Sequence, residues 1–173
     1  MATSTLIQRL DGTALVPSST VPGGYDVVDT PDVSNRRQVE TFIAGATVVA
    51  GDWLQFDTSK TGAERVLTVI QAGANGTGNP LVVGVCLGSA QSDGLLTAGS
   101  KINVIVAGYA EETNCAVGGG APVNAAGIAL TVGAAGAGQA VAIGAGQTGP
   151  ACGVSLATAS AGNVAPVWVY KQF

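Results

Sequence analysis

The densest chemical signature in the chain is the run from Gly144 to Gly149, GAGQTG, which spells GxGxxG after the apolar residues 141–143. In dinucleotide-binding proteins such glycines let a loop and the following helix N-terminus hold a pyrophosphate, and an acidic residue about 20 positions later binds the ribose. Here Pro150 follows the run, and no acidic residue occurs after Glu112. The run therefore predicts a turn between strands, and we expect no cofactor.

Other candidate chemistry is equally sparse. The chain has three cysteines, Cys86, Cys115 and Cys152, and no histidine. Without histidine, the usual base for a serine or cysteine nucleophile is missing and mixed Cys/His zinc sites cannot form. The adjacent carboxyls of Glu111 and Glu112 would point to opposite faces of a strand, so they are not expected to act together as an acid/base pair. We predict buried thiols, no catalytic residue, no metal site and no enzymatic activity.

Composition favours a subunit of an assembly. Hydrophobic residues make up 47% of the chain and charged residues only 10%, whereas about 25% is typical of soluble domains. Much of the surface must therefore be neutral or covered by another chain. A net charge of −4 leaves no basic stripe for phosphates, so nucleic acid is excluded as a partner.

A membrane span is also not expected, although residues 113–170 contain no Asp, Glu, Lys or Arg. Frequent glycines, polar residues such as Thr131 and Gln139, and the lack of flanking basic anchors argue against a transmembrane helix. The first residues lack the basic segment and apolar run of a secretion signal. We therefore expect synthesis in a cytoplasm-like compartment.

The elements that would position these residues are short strands. Three segments place alternate residues on opposite faces, as strands do: Trp53–Phe56, Arg65–Gln71 and Lys101–Tyr109. In the last segment, Ile102, Val104 and Val106 share one face, and the other face, which includes Ile105, is expected to be half solvated. Glycine, asparagine and serine separate the runs. The pattern predicts an all-β fold, a small barrel or sandwich of β-tulip or jelly-roll type.

The chain is divided into three parts by its composition. Residues 1–40 hold many turn residues and one strand-like piece, Tyr25–Val28, and are predicted to form an extended N-terminal arm. Residues 41–112 form a first β unit and residues 113–173 a second, packed together as one compact domain.

The two β units repeat each other at an offset of 69 residues. The matches are Gly51 with Gly120, Leu54 with Val123, Gly84–Ala90 with Gly153–Ala159 (G-V-x-L-x-x-A in both), and, after six extra residues, Ile102–Val106 with Ala165–Val169. Chance is the alternative, because small residues dominate the composition. The conserved order of turn, strand and loop favours an internal duplication.

These segments resemble the head decoration, or cement, proteins of tailed bacteriophages, of the lambda type and its larger relatives. The likeness rests on Pro80–Ala90 followed by Gly99–Gly108, and again on Gly149–Tyr170. The resemblance implies a homotrimer at threefold and quasi-threefold axes on the outer surface of the mature head, where it clamps subunits of the major capsid protein. The protein would be made in the host cytoplasm and reside in the virion.

Two groups of residues are candidates for these contacts. The predicted capsid-binding residues lie in the arm: Arg9, Asp11, Tyr25, Arg36 and Arg37. The predicted subunit interface contains the scarce large aromatics Trp53, Trp168 and Tyr170, which could instead fill barrel ends. Alternative functions are another virion module, such as a fibre, neck or adhesin, or a small ligand-binding β-barrel with a deep polar pocket.

Overall fold

The computed structural model describes residues 13–17, 25–29, 36–73, 79–117, 121–132, 138–144, 149–160 and 162–173. Strand accounts for 47% of the structure, with one small helix. This confirms the predicted all-β class. The chain divides into two compact units, residues 1–37 and residues 38–173.

The first unit contains an antiparallel strand pair. Strands β1 (Thr13–Pro17) and β2 (Tyr25–Asp29) pair along their full lengths. Strand β2 coincides with the strand-like piece recognised in the sequence, whereas β1 was not predicted. Its five residues, TALVP, are too few for a periodicity to stand out from the surrounding turn residues.

The second unit begins with a closed five-stranded barrel, which we name ring 1. Its strands are β3 (Arg37–Ala44), β4 (Trp53–Phe56), β5 (Thr68–Gln71), β6 (Val82–Ser89) and the first half of β7 (Lys101–Asn114). The order is β3-β5-β4-β6-β7, and β7 also pairs with β3, which closes the barrel. Strands β3 and β5 are parallel, and the next three pairs are antiparallel.

Apolar side chains fill the interior of ring 1. The buried members are Phe42, Ala44, Val48, Leu54, Val69, Val83, Cys86, Ile102, Val104 and Val106, with Phe56 and Leu96 packed against them. The buried face predicted for Lys101–Tyr109 is therefore correct. Burying such side chains contributes roughly 1.5–3 kcal/mol each relative to exposure, so this interior supplies a core of its own.

Strand β7 continues beyond ring 1 into a second circuit of strands, which we name ring 2. Its other strands are β8 (Ala129–Val132), β9 (Ala140–Ala142), β10 (Gly153–Ser155) and β11 (Val164–Val169). From β7 the order is β11-β10-β8-β9. The circuit returns to its start because Ala140 bridges Cys115, directly after β7, and the Ala116 amide donates to the Ala140 carbonyl oxygen at 2.8 Å.

The two rings have the same strand order and the same pairing register. In β6–β7, Val85 pairs with Ile105 and Cys86 with Val104, and in β10–β11 Val154 pairs with Trp168 and Ser155 with Val167. The neighbouring pairs agree as well: Leu54–Gly84 corresponds to Leu130–Gly153, Leu54–Gln71 to Leu130–Ala142, and Ala44–Val69 to Cys115–Ala140. The structure thus contains an internal repeat with matched hydrogen-bond ladders.

The register corrects part of the alignment read from the sequence. The hairpin match of Gly84 with Gly153 is confirmed, but Leu54 corresponds to Leu130 and not to Val123. The backbone N–H of Gly51 donates to the carbonyl oxygen of Cys86, and at the equivalent place in ring 2 the N–H of Gly127 donates to the carbonyl oxygen of Ser155. Gly51 therefore corresponds to Gly127 and not to Gly120. The second repeat has extra residues before β8, so the offset between equivalent residues is larger at β8 than the 69 residues found at β10. The junction between the repeats falls inside β7, since this strand serves both rings, and the predicted boundary at residues 112–113 also lies within this strand.

One glycine in each repeat allows close strand approach. A Cβ atom at Gly84 would collide with the carbonyl oxygen of Ile105, and one at Gly153 would lie 2.6 Å from the carbonyl oxygen of Trp168. Ile105 and Trp168 occupy the same place in their rings. The glycine of the repeated G-V-x-L motif is therefore required by backbone packing.

The structure differs from the sequence prediction in two segments, at the start of one strand and at one residue of another. Helix α1 (Ala63–Leu67) replaces the beginning of the predicted strand Arg65–Gln71, and β5 starts at Thr68; AERVL consists mostly of good helix formers with Glu64 in the first turn. The face of Lys101–Tyr109 predicted to be half solvated is exposed at Lys101 and half-buried at Asn103, but Ile105 is only 2% exposed, because ring 2 covers the face there. None of the helices in the described ranges has the length and apolarity to cross a membrane.

Candidate functional site

The two rings meet at a cross-strand row on the outer side of ring 1. Trp53 pairs with Val85, which pairs with Ile105, and the three are exposed by only 0%, 1% and 2%. All three belong to one apolar cluster with the core of ring 2. The Trp53 Cη2 atom lies 3.2 Å from the position of a Cβ at Gly153, so the indole reaches into the interior of ring 2.

A buried carboxylate stands next to this tryptophan. Asp52 is 1% exposed and accepts three hydrogen bonds, from the Asn114 side-chain amide at 2.7 Å and from the Gln71 amide and the Val49 backbone N–H at 2.9 Å each. These donors belong to β7, β5 and the loop before β4. Asp52 therefore holds the start of β4, and with it Trp53, at the junction of the rings.

The equivalent row of ring 2 is open to solvent. Ala129 pairs with Val154, Val154 with Trp168, and Trp168 with Tyr109. Trp168 is 40% exposed, Ala129 is exposed, and Val154 and Tyr109 are half-buried. The alternation along β10 and β11 puts the exposed Leu156 and Tyr170 on the same side. We name these six residues the Trp168 face.

The Trp168 face is suited to contact with another protein. It contains no charged residue, and its centre is a tryptophan flanked across the sheet by a tyrosine. Tryptophan and tyrosine are the side chains that most often dominate binding energy in protein interfaces. An exposed, neutral, aromatic face of this kind on a sheet is a candidate interaction site.

One end of ring 1 forms the second notable feature, which we name the ring 1 end. A cavity of about 40 Å³ is lined there by Glu40, Phe42, Phe56, Val83 and Val106, together with Lys171, Gln172 and Phe173. The ring of Phe173 lies 4.9 Å from that of Phe56, yet 59% of Phe173 is exposed. Lys171 Nζ is 3.8 Å from Glu40 Oε1. The last residues thus cover this end only partly.

The remaining groups offer little chemistry. Burial raises the pKa of Cys86 to about 11 and that of Cys115 to about 12, and it also raises the pKa of Cys152, so none of these thiols is activated as a thiolate. Within the described ranges, no three His, Cys, Asp or Glu side chains are grouped to hold a metal ion. A larger open groove of about 470 Å³ lies beside α1, with Lys60 and Glu64 among its lining residues.

The predicted capsid-binding residues are not assembled into one site. Arg9 and Asp11 lie outside the described residues, and only the backbone of Tyr25, in β2, is described. Arg36 is exposed immediately before β3, and Arg37 is the half-buried first residue of that strand. Capsid binding by these residues stays a prediction.

The predicted interface residues have different places. Trp168 and Tyr170 lie together on the Trp168 face, whereas Trp53 is 0% exposed and has no surface left for a second subunit. Its large side chain fills an interior, which is the alternative raised for these aromatics. Sequence reasoning missed Leu156, although Leu156 and its repeat partner Leu87 are both exposed, by 43% and 38%. An apolar residue retained at one exposed position in both repeats was an available signal.

Comparison with known proteins adds no relative: no protein-family description matches the chain, and none of the curated proteins matches it.

Proposed function

We propose that this chain is a capsid decoration, or cement, protein that binds the outer surface of a mature tailed-phage head and stabilises it as trimers at threefold and quasi-threefold axes. The observation that carries the proposal is the Trp168 face, an exposed, uncharged aromatic surface on a sheet. Such a face favours subunit contact. The choice of a phage head as the partner rests on the resemblance of the repeated hairpins to decoration proteins.

The support for a structural role is the rigidity of the platform behind this face. Trp53 packs inside ring 2 and Asp52 accepts three hydrogen bonds beside it. A preorganised surface loses little conformational entropy on binding. Both ring interiors are filled mainly by apolar side chains, which favours a role in contact over a role in ligand binding.

A trimer would also engage the shell several times at once. Each copy would bring its own set of arm residues, among them Arg36 and Arg37, to a neighbouring capsid subunit. Linked contacts raise the overall affinity well above that of one contact, by about 10²-fold or more when the geometry fits. The proposed stabilisation of the head follows, because one trimer would bridge several shell subunits.

The test combines self-association with shell binding. Purified protein should sediment as a trimer, bind expanded heads of its own phage at high copy number, and raise the temperature at which those heads open. Trp168→Arg should abolish the trimer, whereas Leu95→Arg should leave it intact, since Leu95 is a 50% exposed leucine outside the Trp168 face.

Two results would refute the proposal. One is a wild-type protein that stays monomeric and ignores expanded heads. The other is electron microscopy of virions that locates a few copies at the neck or on fibres, since decoration subunits would cover the shell.

A further inference from the structure

We infer that copies of this chain join head to tail, with the Trp168 face of one copy docked on the ring 1 end of the next. The contact would use, between chains, the same row of the sheet that joins the two rings within one chain. The inference rests on the self-association in the proposed function and adds which two surfaces meet.

The first step is that the same face is covered in one ring and open in the other. The row Trp53–Val85–Ile105 corresponds in register to Ala129–Val154–Trp168. The first row is buried under ring 2. The second has no further ring to cover it within the described residues, and its largest side chain, Trp168, stays 40% exposed. In stacked repeats, the last repeat keeps an uncovered face of this kind.

The second step is that the receiving end is filled in one ring and incompletely filled in the other. The interior of ring 2 near Gly153 and its partner Val169 holds the indole of Trp53. By the repeat register, Val169 corresponds to Val106, which lines the cavity at the ring 1 end. No indole enters there. Ring 1 therefore has the unused acceptor. In ring 2 the place of Trp53 is taken by Ala129, and the indole of this row, Trp168, stands at the place of Ile105, so the donor is the same row of the sheet with the tryptophan on a different strand.

The third step concerns Phe173, which occupies the ring 1 end. The cavity of about 40 Å³ has room for no more than a few waters, so a tryptophan can enter only if Phe173 moves or stacks on it. Phe173 is free to do so, since it is 59% exposed. In the neighbouring ion pair, the side chains of Lys171 and Glu40 are both about half exposed. Such an exposed pair contributes little to fixing the position of residues 171–173.

The chemistry of the two surfaces fits this arrangement. The donor has no charge, and the acceptor is aromatic at its centre, with Phe42, Phe56 and Phe173, while Lys171 and Glu40 lie at its rim. An apolar centre within a charged rim is the usual organisation of a protein interface. Because donor and acceptor differ, the contact is heterologous, and a suitable rotation between copies closes it into a cyclic oligomer.

Two variants that break opposite halves of the contact test the inference. Trp168→Arg removes the donor and keeps the acceptor, and Phe173→Arg does the reverse. Each variant alone should sediment as a monomer, with association at least about tenfold weaker than wild type. Mixed in equal amounts, they should form dimers, because one intact donor then meets one intact acceptor. Leu95→Arg is the control and should associate as wild type does.

Several outcomes would overturn the inference. If Phe173→Arg alone associates like wild type, the Trp168 face binds something other than the ring 1 end, such as its own copy in a symmetric dimer. If the mixture stays monomeric while both variants show the wild-type circular dichroism and urea midpoint, the two surfaces do not meet. Should Trp168→Arg not fold, Trp168→Ala replaces it in the same mixture. A wild-type monomer that ignores phage heads would instead refute the proposed function.

Discussion

Ring 1 and ring 2 share one backbone plan but fill their interiors differently. Where ring 1 has Phe42 and Phe56, ring 2 has Thr113 and Val132 by the register of their strands. Ring 2 thereby has less side-chain volume of its own. Trp53, supplied by ring 1, packs in its core. The comparison teaches that ring 1 has a self-contained interior, whereas ring 2 depends on its neighbour for a central side chain.

The largest effect should come from removing that shared side chain. Trp53→Ala leaves a cavity inside ring 2 and should lower the free energy of unfolding by about 3–5 kcal/mol, measured by urea denaturation with circular dichroism. Trp168→Ala, at the exposed row of ring 2, is the matched control and should cost less than about 1 kcal/mol in the monomer. Equal losses would mean that the indole of Trp53 does not complete the ring 2 core.

The polar link between the rings should come second. Asp52→Ala leaves the amides of Gln71 and Asn114 without their acceptor, and we expect a loss of about 2–3 kcal/mol in unfolding free energy. Asp93, an exposed aspartate whose carboxylate also accepts a backbone N–H, from Leu95, is the control, and Asp93→Ala should cost under about 1 kcal/mol. A similar small loss for both would show that the buried carboxylate does not hold the junction.

The matched glycines test whether the two rings are equivalent in backbone. Gly84→Ala and Gly153→Ala both force a Cβ onto a carbonyl oxygen and should each destabilise by about 1–3 kcal/mol. Gly73→Ala is the control, because its nearest neighbour would be a flexible glutamine oxygen 3.7 Å away. If only one of the two substitutions lowers the free energy of unfolding, the two rings share a pairing register but not the need for glycine at this position.

The buried thiols should make the stability of the folded protein depend on pH. Their pKa values are raised by burial, to about 11 for Cys86 and about 12 for Cys115, so the folded chain holds these protons more tightly than the unfolded chain. Their contribution to stability is full below the ordinary thiol pKa, about 8.5, and is lost as pH rises through about 11 to 12.

Urea titrations between pH 8 and 11 should therefore show declining stability, and Cys86→Ala should lessen the decline. Native thiols should also react slowly with a disulfide reagent at pH 8. Fast labelling of the folded protein, or an unchanged slope in the variant, would contradict the assigned burial.

The smallest effect concerns the polar side chain that ring 2 has in place of Phe42. Among the described residues, the buried hydroxyl of Thr113 has no hydrogen-bond partner. Thr113→Val removes the unpaired hydroxyl at similar size and should stabilise the protein by up to about 1 kcal/mol, measured by thermal and urea unfolding. Thr97→Val, at an exposed threonine whose hydroxyl contacts Ser100, should bring no gain; a gain there and none at Thr113 would reverse the interpretation.

The sequence predicted several strands of ring 1 correctly, but it did not show what covers them. Alternation in Lys101–Tyr109 predicted that Ile102, Val104 and Val106 would fill an interior, and they do. A period of two distinguishes two faces but does not say whether a face meets water or another ring, and so the burial of Ile105 under ring 2 could not be foreseen.

The partial failure of the repeat alignment has a related cause. The motif that starts at Gly84 and Gly153 was aligned correctly because strict backbone packing requires glycine at both positions. The loops before β4 and β8 carry no such requirement, and their small residues match in several ways, so the correspondence of Leu54 with Leu130 emerged only from the hydrogen-bond register.

The shared strand β7 has a mechanical consequence. Its 14 residues run through both rings and are hydrogen-bonded to β6 along one half and to β11 along the other. Tension pulling the rings apart along this strand would load the bonds of each ladder in shear, all at once, because antiparallel hydrogen bonds lie perpendicular to the strand. Cutting the chain in the middle of β7 would leave each half-strand with its own ring but would end the covalent continuity that aligns the two ladders, and a separated ring 2 would also lose Trp53 from its core.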